Sequence, residues 1–415
     1  MKITKLQNGL TILYEHNKVS PIDTLQVYVS TGSILEEKHE HGITHLVEHL
    51  MFKSSKKRTS DEITRDLETC GARVNAWTSF DATCFYFDAL PENVEKCTEI
   101  YADMLMNKQI TPEEFKLEKS VVCQEIAMYD DDPASVNEDN WFAKALGWES
   151  ISGKRSEVSR ITLEQANEFI KERYAPQNIT ISVCTHLSYW KMLRILKKNF
   201  GGYTNEGAKV MSDLWAIYAS IKQKKTFTKK VEKITKKRDT TQVQLCYSFP
   251  VPKMSPLLLE FTTSVLARGL SSVLTNEIRE KRGLCYDIRA AIESITNPYI
   301  ANVVPFLLKV VSSTESKHVK EFTETLPNII RNAATLISET DLQRIKNINK
   351  MKLLSASTAA THNYFCYCHP DLKMKSLAKE TKKLRKLTLS DVRNVFAEIN
   401  KCKDGNYSYS MTGQL

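Results

Sequence analysis

HGITHLVEHLMFK, residues 41–53, contains His-x-x-Glu-His at positions 45, 48 and 49. A helix turns once every 3.6 residues, so His45 and His49 fall on one face a single turn apart, with Glu48 projecting beside them. Two imidazoles placed this way can meet one metal ion while the carboxylate stays free to handle protons. The pattern is that of a zinc hydrolase, with the order of the common His-Glu-x-x-His motif inverted. The same five residues also fit an exposed amphipathic helix that carries two histidines on its polar face.

A catalytic zinc takes three protein ligands and keeps a fourth position for water. The best candidate for the third ligand is Glu125, in TPEEFKLEKSVVCQEIAMYDDDP (111–133). That segment opens with a helix start signal, Thr111 followed by Pro112, Glu113 and Glu114, and carries apolar residues at Phe115, Leu117, Val121, Val122, Ile126 and Met128. Glu118 and Glu125 are seven apart (125 − 118 = 7) and share a helical face. One can bind the metal while the other orients a ligand histidine. Taken alone, two glutamates on a charged helix read more simply as a solvated face.

His-x-x-Glu-His followed by Glu125 76 residues after its last histidine (125 − 49 = 76), with Glu118 ahead of it, resembles the pitrilysin-type (inverzincin) zinc peptidases, in particular the short processing-peptidase-like bacterial members. Three more segments carry the resemblance. LQNGLTILYE (6–15) is similar to the family's first strand pair, GARVNAWTSFDATCFYF (71–87) to its substrate-side hairpin, and SSVLTNEIREKRGLCYDI (271–288) to its arginine and tyrosine segment. The resemblance implies a zinc endopeptidase with one Zn2+ per chain, held by His45, His49 and Glu125, with Glu118 orienting a ligand histidine. Glu48 would be the general base, and zinc would supply Lewis acidity toward water and the scissile carbonyl. The strand at Asn75 and Ala76 would offer its backbone to an extended peptide. Arg279 and Tyr286 would bind substrate carbonyls or steady the tetrahedral oxyanion. The plainer reading makes Arg279 a surface helix residue and Tyr286 a half-buried strand residue.

An internal repeat accompanies these motifs. Gly42-Ile43 aligns with Gly269-Leu270 (269 − 42 = 227), Phe115 with Leu342 (342 − 115 = 227) and Ile161 with Leu387 (387 − 161 = 226). At this register Ser272, Thr275 and Asn276 stand where His45, Glu48 and His49 stand, and Ile345 and Lys352 replace Glu118 and Glu125. A lysine there repels a cation, so only the first half is expected to hold metal.

The expected architecture is α+β: two homologous α/β sandwich domains made by duplication, together forming half of a clamshell. The zinc-bearing domain is expected over 1–205, a lysine-rich linker over 206–238, and the homologous domain without metal ligands over 239–415. In the first half, Ser60 is expected to cap a helix ending at Gly71, strands follow around 72–78 and 82–90, and Pro91 opens the next helix. The resemblance implies a chamber of four such domains, so this chain needs a second one, as a homodimer or as a heterodimer with a homologous subunit. A catalytically idle or partner-dependent subunit of a processing peptidase is the alternative role, and the intact ligand set argues against idleness.

The lysines of 204–238 lack interleaved aromatics for base stacking, so no nucleic-acid partner is expected. No run of 18 or more apolar residues exists and no signal-peptide core follows Met1, so no membrane partner is expected and a cytoplasmic location is the default expectation. Ten cysteines show no disulfide-framework spacing and fit a reducing compartment. The net charge of +9 is spread over linker and tail and reads as a solubility feature.

HNYFCYCHP (362–370) offers His362, Cys366, Cys368 and His369, but not at structural zinc spacing, so core packing is the expected role. His41 lies four residues before His45 (45 − 41 = 4) and is a weaker candidate for supporting a ligand. Two departures from the family stand out. ISVCTHLSYWKML (181–193) lacks the usual glycine turn, and Pro305 in YIANVVPFLLKVV suggests an irregular or edge strand.

Overall fold

The computed structural model describes residues 1–204, 207–222, 233–293, 306–352, 355–401 and 408–414. The first half builds a sheet from β1 (Lys2–Lys5), β2 (Thr11–His16), β3 (Asp23–Val29), β4 (Arg73–Thr78), β5 (Thr83–Ala89) and β6 (Ile179–Thr185). Its order is β1-β2-β6-β3-β5-β4, antiparallel except where β2 runs parallel to β6. The helices of this half are α1 (Ile43–Leu50), α2 (Ser60–Thr69), α3 (Val94–Met106), α4 (Pro112–Asp131), α5 (Pro133–Trp141), α6 (Arg155–Val158), α7 (Leu163–Arg173) and α8 (Tyr189–Phe200). After α9 (Met211–Lys222), the second sheet has the order β7-β11-β8-β10-β9. Its strands are β7 (Lys233–Lys237), β8 (Val243–Val251), β9 (Ile288–Glu293), β10 (Phe306–Thr314) and β11 (Ser408–Gly413). Its helices are α10 (Pro256–Ala267), α11 (Val319–Leu336), α12 (Glu339–Lys352), α13 (Ala356–Cys368), α14 (Leu377–Lys386) and α15 (Leu389–Lys401).

The two sheets share one plan. In the second, β7 runs parallel to the chain's last strand β11 as β2 does to β6, and β8, β10 and β9 take the places of β3, β5 and β4. Among the described residues β1 has no counterpart. Gly42 and Gly269, aligned by the repeat, both adopt left-handed backbone at φ +87° and +91°. The protein is therefore two homologous mixed α/β domains, the half-clamshell expected from the sequence.

Each half lends one helix to the other. β3 and β6 are buried along their whole length, because their two faces meet different partners. Leu25, Val27, Val29, Ile181 and Val183 point into the core of their own half. The alternate residues meet α13: Tyr28 stacks on Tyr364 with centroids 3.5 Å apart, Gln26 donates to Thr361, and Ser182 Oγ donates to the Ala360 carbonyl at 2.7 Å. Period-two side-chain direction explains why these strands alternate large aliphatics with small or polar groups. The reciprocal contact is made by α5, whose Asn137 bonds Ser410 and Thr412 of β11, with Ser410 Oγ reaching the Asn137 carbonyl at 3.0 Å. Asn137 and Tyr364 are 227 apart (364 − 137 = 227), so the exchanged helices are themselves copies within the repeat.

Several local expectations change in detail. Thr59, not Ser60, caps α2, because its side chain and that of Glu62 form a reciprocal capping box. The expected linker span 206–238 includes α9, whose Met211 and Trp215 bury their side chains, and strand β7. Much of the lysine run, at 223–232, lies outside the described residues, as does Pro305. The strand after Pro305, β10, is no edge strand: it pairs with β8 on one side and β9 on the other. The nine described cysteines are all free thiols, and no described helix is long and apolar enough to cross a membrane.

Candidate metal centre

Helix α1 is locked at both ends. Gly42 precedes it in a conformation and a space that exclude a side chain, since a Cβ would lie 2.6 Å from the Ser152 carbonyl oxygen. The Glu36 carboxyl group accepts the free N–H groups of Gly42 and Thr44 at 2.9 and 2.8 Å, capping the positive end of the helix. Burial pushes the Glu36 carboxyl up to about 7 despite these bonds. At the other end the Lys108 ammonium donates to the Met51 and Lys53 carbonyls. Ile43, Leu46, Val47 and Leu50 sink into the core, which turns His45, Glu48 and His49 toward a groove of about 500 Å³.

Helix α4 supplies the rest. Thr111 and Glu114 form its capping box, Phe115, Val122 and Ile126 anchor it, and Glu118 and Glu125 face α1. Glu125 Oε2 lies 3.3 Å from His49 Nε2 and 3.9 Å from His45 Nε2. Three ligand atoms, one from each residue, lie within 4.8 Å of one another, the one such His/Cys/Asp/Glu cluster among the described residues. Tetrahedral zinc with ligand bonds of about 2.05 Å separates its ligand atoms by about 3.3 Å, so the set fits zinc with little adjustment. His49 Nδ1 bonds Glu118 at 3.0 Å, which leaves Nε2 directed at the cluster, and Lys53 holds the other Glu118 oxygen at 2.6 Å.

The electrostatics suit a cation. Burial, then the neighbouring His49, lowers His45 to about 4, so its imidazole is neutral and can coordinate at neutral pH. Burial also depresses His49, but the Glu118 hydrogen bond and the Glu125 and Glu48 carboxylates outweigh it and raise its pKa. Three carboxylates thus converge on two imidazoles. Burial raises Glu48, opposed by the hydroxyl of Thr78, which donates to Glu48 Oε2 at 2.5 Å. Tyr129, one turn past Glu125, donates its phenol to Glu125 Oε1 at 2.8 Å.

Asn75 and Ala76 lie on β4, the edge of the first sheet, and line the same groove as His45, Glu48 and His49. Arg279 and Tyr286 do not reach it. They border a separate cavity of about 690 Å³ in the second half, with the Arg279 guanidinium 5.0 Å from the centre of the Tyr286 ring and Tyr286 77% exposed. Tyr286 is thus a surface residue, not a half-buried strand residue. Glu138 of α5 lines both cavities and pairs with Lys309 of β10. At the repeat-related positions of the second half, Ser272 and Thr275 are buried and hydrogen-bond each other at 2.9 Å, and Ile345 is fully buried.

His41 precedes α1 and faces Glu157 at 3.7 Å instead of the cluster. His362 bonds the Lys375 carbonyl at 2.8 Å and His369 stacks on Phe365, while Cys368 packs with Leu13, Tyr28 and Cys84 of the first sheet, so the segment serves packing. Sequence reasoning missed Thr78, Tyr129 and Glu36. Tyr129 was within reach as the i+4 neighbour of Glu125. Glu36 acts from only six and eight residues upstream, through the backbone of Gly42 and Thr44, whereas Thr78 acts across the fold and leaves no local signal.

Comparison with known proteins places this geometry. Residues 11–154 match the insulinase family, peptidase family M16, and residues 160–349 match the peptidase M16 inactive domain. An uncharacterized zinc protease of Bacillus subtilis is 27% identical over 359 residues, 84% of this chain and 82% of that protein. The beta subunit of the mitochondrial-processing peptidase of Blastocladiella emersonii is 27% identical over 205 residues, 48% of this chain and 44% of that one. A Helicobacter pylori protease of known crystal structure shares the fold, with a TM-score of 0.80 across 99% of this chain and 98% of that one at 21% identity. The family segments cover both halves of the duplication, and the chain belongs to the M16, or insulinase, peptidase family.

Proposed function

We propose that the protein is a zinc-dependent endopeptidase that hydrolyses peptides or flexible polypeptide segments inside a chamber. The observation that carries this reading is the placement of His45, His49 and Glu125 within 4.8 Å of one another on a groove bordered by β4, the edge strand of its sheet among the described residues. Zinc bound there, one ion per chain, supplies Lewis acidity toward water and the peptide carbonyl. Glu118 holds His49 in the tautomer that presents Nε2. The edge of β4 at Asn75 and Ala76 receives the substrate as an added strand, so recognition is mostly through main chain. Glu48, with Oε2 held by Thr78, takes a proton from the attacking water on its other oxygen and returns it to the leaving amine.

Arg279 and Tyr286 lie outside the groove of their own chain, which supports a site shared between subunits, with zinc from one and the arginine and tyrosine from the other. The proposed assembly is a homodimer. A heterodimer with a homologous partner is the second reading, motivated by the relative that is named as a processing-peptidase subunit. Cleavage of a flexible peptide library tests the activity, and a mixing experiment tests the sharing. His45→Ala chains and Arg279→Ala/Tyr286→Phe chains are each expected to be inactive alone. Random mixing makes half the dimers mixed, each with one intact site of two, so roughly a quarter of wild-type activity should return. Mixed dimers that form but stay inactive would rule out the shared site.

A further inference from the structure

Both reactive carboxylates of the groove have one oxygen occupied by a hydroxyl from outside the zinc motif. Tyr129 donates to Glu125 Oε1, so Oε2 is the oxygen that faces His45 and His49. Thr78, the last residue of β4, donates to Glu48 Oε2. A glutamate next to a ligand histidine and free to rotate could swing onto the metal and cease to be a base. The bond from β4 opposes that rotation, and it ties the base to the strand that would carry the substrate.

We propose that these are positioning residues with separate tasks: Tyr129 sets zinc affinity by fixing Glu125, and Thr78 sets turnover by fixing Glu48. The proposal rests on the zinc peptidase reading given above and adds the division of labour. Residues that orient metal ligands typically change metal affinity or activity by about 10- to 100-fold when removed.

The experiment measures zinc dissociation constants by competition with a chromogenic chelator, alongside kcat and KM on a flexible peptide, for Tyr129→Phe, Thr78→Val, Thr78→Ser and Glu125→Ala. Tyr129→Phe should weaken zinc binding by roughly tenfold, and excess zinc should restore its turnover. Thr78→Val should keep wild-type zinc affinity and KM but lose roughly tenfold in kcat, which no zinc concentration restores. Thr78→Ser, which keeps the hydroxyl and tolerates the fold, should recover most of that loss. Unchanged zinc affinity in Tyr129→Phe, with affinity abolished in Glu125→Ala, overturns the Tyr129 assignment while the ligand set stands. Wild-type affinity in Glu125→Ala overturns the ligand set itself. Equal kcat in Thr78→Val and wild type, or a zinc-affinity loss in that variant, overturns the Thr78 assignment.

Discussion

Purified wild-type protein is expected to carry close to one zinc per chain, and the His45→Ala and Glu125→Ala variants close to none. Each substitution leaves two ligands where a catalytic site needs three. Elemental analysis after dialysis reads the result directly. The second half is expected to add nothing to the count, because Ser272 and Thr275 bond each other and Ile345 is apolar. Retention should also depend on pH. As a proposed ligand His49 would bind zinc as neutral imidazole, yet its carboxylate neighbours favour its protonated form. Protons therefore compete with the metal, and affinity should fall as pH drops through the His49 titration. Stoichiometric zinc in His45→Ala would remove the motif from the metal site.

Glu48→Gln should separate binding from chemistry. The amide has nearly the same shape and is no zinc ligand in the proposed site, so zinc content should stay near one per chain. It cannot accept a proton, so peptide hydrolysis should fall by about a hundred- to ten-thousand-fold. The Thr78 hydroxyl can still donate to the amide oxygen, which keeps the side chain in place. Activity close to wild type would take Glu48 out of the role of base.

Legibility in the sequence followed the range of the interactions. The helices α1 and α4 and the polar face of each could be read from local periodicity, because i+4 and i+7 spacings are fixed by helix geometry alone, whereas the pairing of the two faces was implied by the family resemblance. The duplication was readable for a similar reason: matching glycines and apolar positions recur at a constant offset. The exchange of α5 and α13 was not readable. It depends on Tyr28, Gln26 and Ser182 meeting residues more than 170 positions away (360 − 182 = 178), and nothing local distinguishes a strand covered by its own half from one covered by the other. A pairing between different elements likewise hid Thr78, which meets Glu48 from β4. Tyr286, 77% exposed, lines the second cavity, and no local pattern in the sequence separates an aromatic left on a cavity wall from one packed against a neighbour.

The most direct test of the central claim is a titration. Protein stripped of metal by a chelator and then dialysed receives zinc in steps while hydrolysis of a flexible peptide is followed. If His45, His49 and Glu125 hold the metal that drives peptide cleavage, activity starts near zero, rises in proportion to added zinc and saturates at one equivalent per chain. Hydrolysis that is undiminished in the stripped protein, or absent at every zinc loading of the assembled dimer, would contradict the claim.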